Sequence, residues 1–335
     1  TKGSSNIAKY MYSKDGGSTW STSTTTATTN SYTFSNLFSK TSYSIRVKVV
    51  DSSGKESTVV SKSVTTSAST TTLAAKVKSK YTSQGSNGIY YHTTSLANSA
   101  GDNSYRYAGA NPNNYVCFGS TASSCPSANL YRIIGVYGDQ AKLIKATYAT
   151  TAEIGTAAHK SDNNFYWSGA RSNESNIWSS STLNTSSLNG TFLTNLGTTW
   201  TNKIATTTWN VGGMDLARVE SPSTVRTTYN YEVGANKSST TYNAKIGLPY
   251  ANEYGYAADP SYWTTELYNY EPSLSTNWMG NGNDSWIISR ISDYSDRAFS
   301  YRVHRHRQRV RLRSCVSVLQ SGIKREDIGR VRNAV

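Results

Sequence analysis

Short apolar runs alternate with long polar stretches along this chain, and most of the runs carry strand spacing. Tyr43-Ser-Ile45-Arg-Val47-Lys-Val49 alternates strictly between apolar and polar, the pattern of a half-buried strand. Upstream, Ile7 to Tyr12 reads as a strand, Asp15-Gly16-Gly17 as a tight turn, and the segment to Trp20 as the return. Tyr32, Phe34 and Leu37 add apolar positions, Asp51-Ser-Ser-Gly54 turns the chain, and Val59–Val64 leads into Thr65-Thr66. Later, Leu130–Tyr137 and Gln140–Ala146 are two apolar runs separated by Gly138-Asp139, which predicts a β-hairpin. One segment has helical spacing instead. Within 181–196, Leu188, Phe192 and Leu196 recur at i, i+4 and i+8 with Leu193 beside them, and Gly197 is placed to stop the helix. Trp200 and Ile204 extend the apolar set towards Trp209.

These elements predict a mainly β chain of two folded parts: a small β-sandwich over residues 1–66 and a larger α+β domain over 81–300. The larger domain is expected to have short strands, long loops and one or two helices. Residues 67–80, small and polar and then basic, read as a linker. Composition supports β-structure: 25 Tyr and 8 Trp supply enough ring area to drive folding, whereas charged residues are only 16%. The net charge of +14 suggests nucleic acid until it is located. Residues 1–80 hold 11 basic and 3 acidic side chains, 81–300 hold 13 and 15, and 301–335 hold 10 and 2. The large domain is therefore close to neutral. Without a basic stripe on its main folded part, no nucleic-acid partner is expected.

No run of about 18 apolar residues exists, so no membrane span is expected. The chain lacks a signal-peptide pattern and is read as an internal piece whose targeting segment lay upstream. Cys117 and Cys125 bracket a Gly/Ser loop whose spacing suits neither a zinc site nor a redox pair, and no His lies nearby. A small-loop disulfide is expected, and with it an oxidising, extracellular location; two packed free thiols are the alternative.

Leu37, Tyr43, Ile45, Val47 and the Asp51-x-x-Gly54 turn together resemble a fibronectin-type-III domain over about 60 residues. The resemblance implies an immunoglobulin-like sandwich without its first two strands, with Tyr43 making the corner hydrogen bond of that family. A second resemblance runs from the Tyr131-Arg-Ile-Ile hairpin through Trp178, Ser181, Leu183, Asn184, Leu188, Asn189, Phe192 and Leu193 to Trp286-Ile-Ile-Ser289-Arg290 and Ala298-Phe299. These positions resemble a bacterial domain of unknown function with W-R-V-L, S-L-R-x-W-L-N and closing G-V-R-P motifs. Tyr131 stands where that family has Trp. Its late motifs are similar to the C-type-lectin-like scaffold, which implies a ligand face built from long loops.

Chemistry is sparse. Before residue 301 only His92 and His159 are present, and no P-loop, G-x-S-x-G or G-x-G-x-x-G occurs. No catalytic residue, metal or cofactor is expected. Aromatic loops between 250 and 286 carry Tyr254, Trp263, Tyr268, Trp278 and Trp286. With Asp293 and Asp296 these form the candidate ligand-binding set, because flat rings with polar tips stack on sugars or partner surfaces. Core packing is the alternative for most of the rings. From Tyr301 the composition changes: Arg occurs 9 times in 35 residues after 8 in the preceding 300, and Thr vanishes. A shifted reading frame is expected there, which would leave Cys315 without a role and the domain without its final strand; a basic arm is the alternative. The functional expectation is a bacterial surface or secreted binding and adhesion module, with carbohydrate or a cell-envelope or host-surface ligand as partner. The rivals are a secreted carbohydrate-active enzyme using loop carboxylates, and a structural stalk or pilus-like component.

Overall fold

The computed structural model describes residues 5–22, 31–34, 37, 42–67, 72–122, 124–161, 164–168, 175–215, 223–270, 275–280, 285–301 and 315–318. The chain is mainly β, with several antiparallel sheets. It divides into two compact units, one formed by Thr1–Thr71 and the other beginning at Thr72.

The first unit is a four-stranded antiparallel sheet of β1 (Ile7–Ser13), β2 (Ser21–Thr22), β3 (Ser42–Asp51) and β4 (Val60–Thr65), in the order β2-β1-β3-β4. The strictly alternating segment forms β3, with Tyr12 opposite Val47 on one side and Tyr43 opposite Val64 on the other. Tyr43 is half-buried in that register. Asp15 closes the turn after β1 by accepting from the Ser13 hydroxyl and from the Thr19 amide and hydroxyl. Those donors hold its carboxyl well below the usual carboxylate range. Gly54 N donates to Asp51 O at 3.0 Å in the second turn that the sequence predicts. Every residue of β4 is exposed.

The second unit is built on a seven-stranded sheet. Its early strands are β5 (Ile89–Tyr91), β6 (Tyr105–Tyr107), β7 (Tyr115–Cys117), β8 (Leu130–Tyr137) and β9 (Gln140–Lys145). Five further short strands follow: β10 (His159–Ser161), β11 (Asn164–Phe165), β12 (Thr207–Asn210), β13 (Thr241–Ala244) and β14 (Ile246–Gly247). β15 (Ser285–Arg290), β16 (Ala298–Tyr301) and β17 (Cys315–Val318) complete the described strands. The main sheet runs β14-β17-β9-β8-β6-β5, with β7 also on β8, while β10/β11, β12/β13 and β15/β16 form separate two-stranded ribbons. The hairpin is present: Tyr137 faces Gln140 across Gly138, whose φ of 57° suits a two-residue turn. β8 is largely apolar because both of its faces are covered, and its six central residues, Arg132 among them, are all buried.

Three expectations change. Within the span read as a linker, Leu73–Lys78 is a helix that buries Leu73, Ala74 and Val77 in the core of the second unit, so this stretch is structural and not a flexible connector. The predicted single α-helix is instead a π-helix, Leu183–Phe192, running into an α-helical turn, Leu193–Leu196. The wider π turn brings Leu183, Ser187 and Leu188, and Phe192 onto the buried side, while Leu196 is only partly covered. Asn189 ties this helix to the sheet: its amide donates to Ile246 O at 2.9 Å and its oxygen accepts from Ile246 N at 3.0 Å. Finally, the domain does not lack a late strand. β17 pairs antiparallel with both β9 and β14, placing Cys315 opposite Ile144 and Gly247. Apart from β17, the Arg-rich segment 302–335 lies outside the described residues.

Candidate functional site

A disulfide joins Cys117, at the end of β7, to Cys125, with 5.7 Å between their Cα atoms. Among the described residues no helix is long and apolar enough to cross a membrane, and no group of three or more His, Cys, Asp or Glu is placed to hold a metal ion.

The aromatic residues singled out from sequence go mostly to the core. Tyr254, Trp263 and Trp278 are 4%, 1% and 4% exposed, so their ring faces are covered by protein and cannot stack on a ligand. Trp263 and Trp278 also spend their indole N–H on backbone, donating to Ala258 O and Tyr107 O. Trp286 is half-buried against the core and donates to Phe165 O at 2.9 Å. Tyr268 falls in a short helical turn, but its side chain lies outside the described residues. Asp293 and Asp296 are exposed; Asp293 accepts from Ser292, and Asp296 sits 3.9 Å from Arg297. None of the six whose side chains are described lines the cleft that the fold does build.

That cleft, about 210 Å³, lies where β6, β8, β9 and β12 meet two helices, Val225–Glu232 and Ala251–Tyr256. Its floor is made of two ion pairs whose cations are buried. Arg106 from β6 is 2% exposed and directs each part of its fork to a separate acceptor: Nε to Ser104 Oγ at 2.8 Å, one terminal nitrogen to Asp102 at 2.6 Å, the other to Asn252 Oδ1 at 3.1 Å. The rings of Tyr137 and Tyr256 each lie 4.9 Å from the guanidinium carbon. Lys142 from β9 donates to Glu253 at 2.7 Å and lies 4.7 and 4.6 Å from the Trp209 and Tyr250 rings. Glu253 also accepts from the Tyr137 hydroxyl and from the Tyr250 amide, so one carboxylate starts a helix and neutralises a strand lysine.

Behind the floor, Glu232 accepts from Ser289, from the amides of Ala251 and Asn252, and from the Asn252 side chain. Burial pushes the Glu232 carboxyl up against those four donors. Burial also pushes Asp102 up, but Arg106 and Ser104 outweigh it and hold that carboxyl at about 2. His92 is fully buried between Tyr256 and Trp263, and its Nδ1 accepts from Ala100 N at 3.1 Å. Burial, reinforced by Arg106, drives its pKa well below the imidazole value, so the ring is neutral. Tyr229 at the mouth is pushed up to about 12 by burial and by Asp102. The rim carries uncharged groups: Gln140, Thr207, Asn210 and Tyr229 are half-buried and Thr208 is exposed.

None of the floor residues was recognised from sequence. Lys142 lay inside an apolar run, Arg106 between two tyrosines, and the near-neutral sum over 81–300 hid the pairing of individual charges. One local signal did exist: Thr150-x-x-Glu153 fits a capping box, and Glu153 pairs with buried Lys145 as Glu253 pairs with Lys142. Comparison with known proteins gives no match to a family model, to a curated protein or to a solved structure.

Proposed function

We propose that the chain belongs to an extracellular, surface-attached or secreted protein of bacterial type, in which a fibronectin-type-III-like unit accompanies a ligand-binding domain that takes carbohydrate or another surface ligand. The cleft over Arg106 and Lys142 carries this reading: buried, fully partnered charges fix its shape, while amide, hydroxyl and phenol groups stay accessible at its rim. The Cys117–Cys125 disulfide supports the compartment, because such bonds persist in oxidising surroundings. The two carboxylates of the cleft, Asp102 and Glu253, are each bound to a cation, and Asp102 is held at about 2. Asp102 is therefore not set up as the protonated acid that glycoside hydrolysis requires, and Glu253 is committed to Lys142, the Tyr137 hydroxyl and the Tyr250 amide, so binding is favoured over catalysis. Binding of the full chain to a glycan array is the test. The expected result is a signal abolished by Asn210→Trp, which fills the mouth, and kept by Asp293→Asn. Binding insensitive to Asn210→Trp would move the site elsewhere, and silence across the array would remove the carbohydrate reading.

A further inference from the structure

We propose that this cleft selects uncharged over acidic ligands, so that its occupant is a neutral polyhydroxylated ring, such as the terminal unit of a neutral oligosaccharide. This rests on the cleft being the binding site. The lining brings two cations and two anions together, and their charges cancel: Arg106 with Asp102, and Lys142 with Glu253. Each cation is already engaged. Arg106 has acceptors on both edges of its fork and rings against its guanidinium, so it has no bidentate face left for a carboxylate or sulfate. Lys142 is 5% exposed, with Glu253 and two rings around its ammonium. An anion entering here would be stripped of water without a partner, or would have to break a buried pair, and both are costly.

Hydroxyls meet a different surface. Gln140 and Asn210 offer both donors and acceptors, while the Thr208 and Tyr229 hydroxyls, which donate to Asn243 and Asp102, keep acceptor capacity; Thr208 is exposed and the other three are partly so. At about 210 Å³ the cleft is smaller than the roughly 300–1,000 Å³ pockets that enclose drug-sized molecules, which suits one ring rather than a chain.

The test is titration calorimetry of the full chain with neutral hexose and N-acetylhexosamine oligomers and with their uronate and sulfated counterparts, each repeated with Asn210→Trp. The neutral member of a pair should bind at least tenfold more tightly. Glu253→Gln, which leaves Lys142 without its carboxylate, should shift that ratio at least tenfold towards the acidic member. If Glu253→Gln does not fold, Asp102→Asn, a change at a more exposed carboxylate, removes the charge that pairs with Arg106 and should shift the ratio in the same direction. Equal or tighter binding of the acidic ligands by the wild type, lost in Asn210→Trp, would overturn charge selection and leave the cleft as the binding site. Absence of any Asn210→Trp-sensitive binding would overturn the cleft itself.

Discussion

Lys142 and Glu253 show how a single pair can decide the behaviour of a fold. Replacing Lys142 by Met leaves the buried Glu253 carboxylate with the Tyr137 hydroxyl and the Tyr250 amide but without its cation. Chemical denaturation should show a loss of about 3–5 kcal/mol. The double variant Lys142→Met/Glu253→Gln removes both charges and should recover most of that loss. His92 gives a second expectation at this scale. Its pKa in the folded state lies well below the 6.5 of a free imidazole, so below that pH the unfolded chain takes up a proton that the folded chain refuses. Stability should therefore fall as pH drops below about 6.5, by up to about 1.4 kcal/mol per pH unit. Asp102 adds a separate window. Its stabilisation is complete above the ordinary value of 3.8 and is lost as pH falls through about 2, amounting to about 2 kcal/mol. Unfolding curves taken at pH 7.5, 6, 5 and 4 would show the His92 slope, and His92→Asn, which keeps an acceptor but does not titrate, should flatten it.

At the scale of elements, β14 and the π-helix are held by contacts that pattern alone does not disclose. A Cβ at Gly247 would come within 2.7 Å of the Trp209 ring, which forms one wall of the cleft. Gly247→Ala should therefore displace that ring and alter its fluorescence while the hairpin remains formed. Asn189→Ala removes both hydrogen bonds to Ile246 and should cost about 2–3 kcal/mol in denaturant titrations. The β-elements were legible because their signals are local: alternation in β3, two apolar runs and a glycine turn for β8 and β9. Leu188, Phe192 and Leu196 satisfied a 3.6-residue period, but the period that packs is wider, since the core accepts Asn184 and Ser187 beside Leu183. Trp263 and Trp278 were misplaced for a related reason: a ring with a polar tip has the same sequence signature in a loop site and in a core where the tip finds a carbonyl. The floor of the cleft was illegible because its partners, such as Arg106 with Asn252 or Lys142 with Glu253, meet only after the sheet and helices pack.

For the molecule as a whole, the disulfide ties compartment to stability. Closing so short a loop contributes about 2–3 kcal/mol in the chain-entropy account. Reduction, or the paired change Cys117→Ser/Cys125→Ser, should lower the Tm of the second unit by about 4–12 °C in calorimetry. The seven-stranded sheet carries a different consequence, one of timing. Its seam is closed by β17, which inserts between β9 and β14 and sets residue 315 beside residue 144. While the ribosome is still delivering the intervening chain, β9 and β14 each present an open edge, and the long closure needed to join them slows completion. Completion of the sheet therefore waits on β17, the last of its strands to be made.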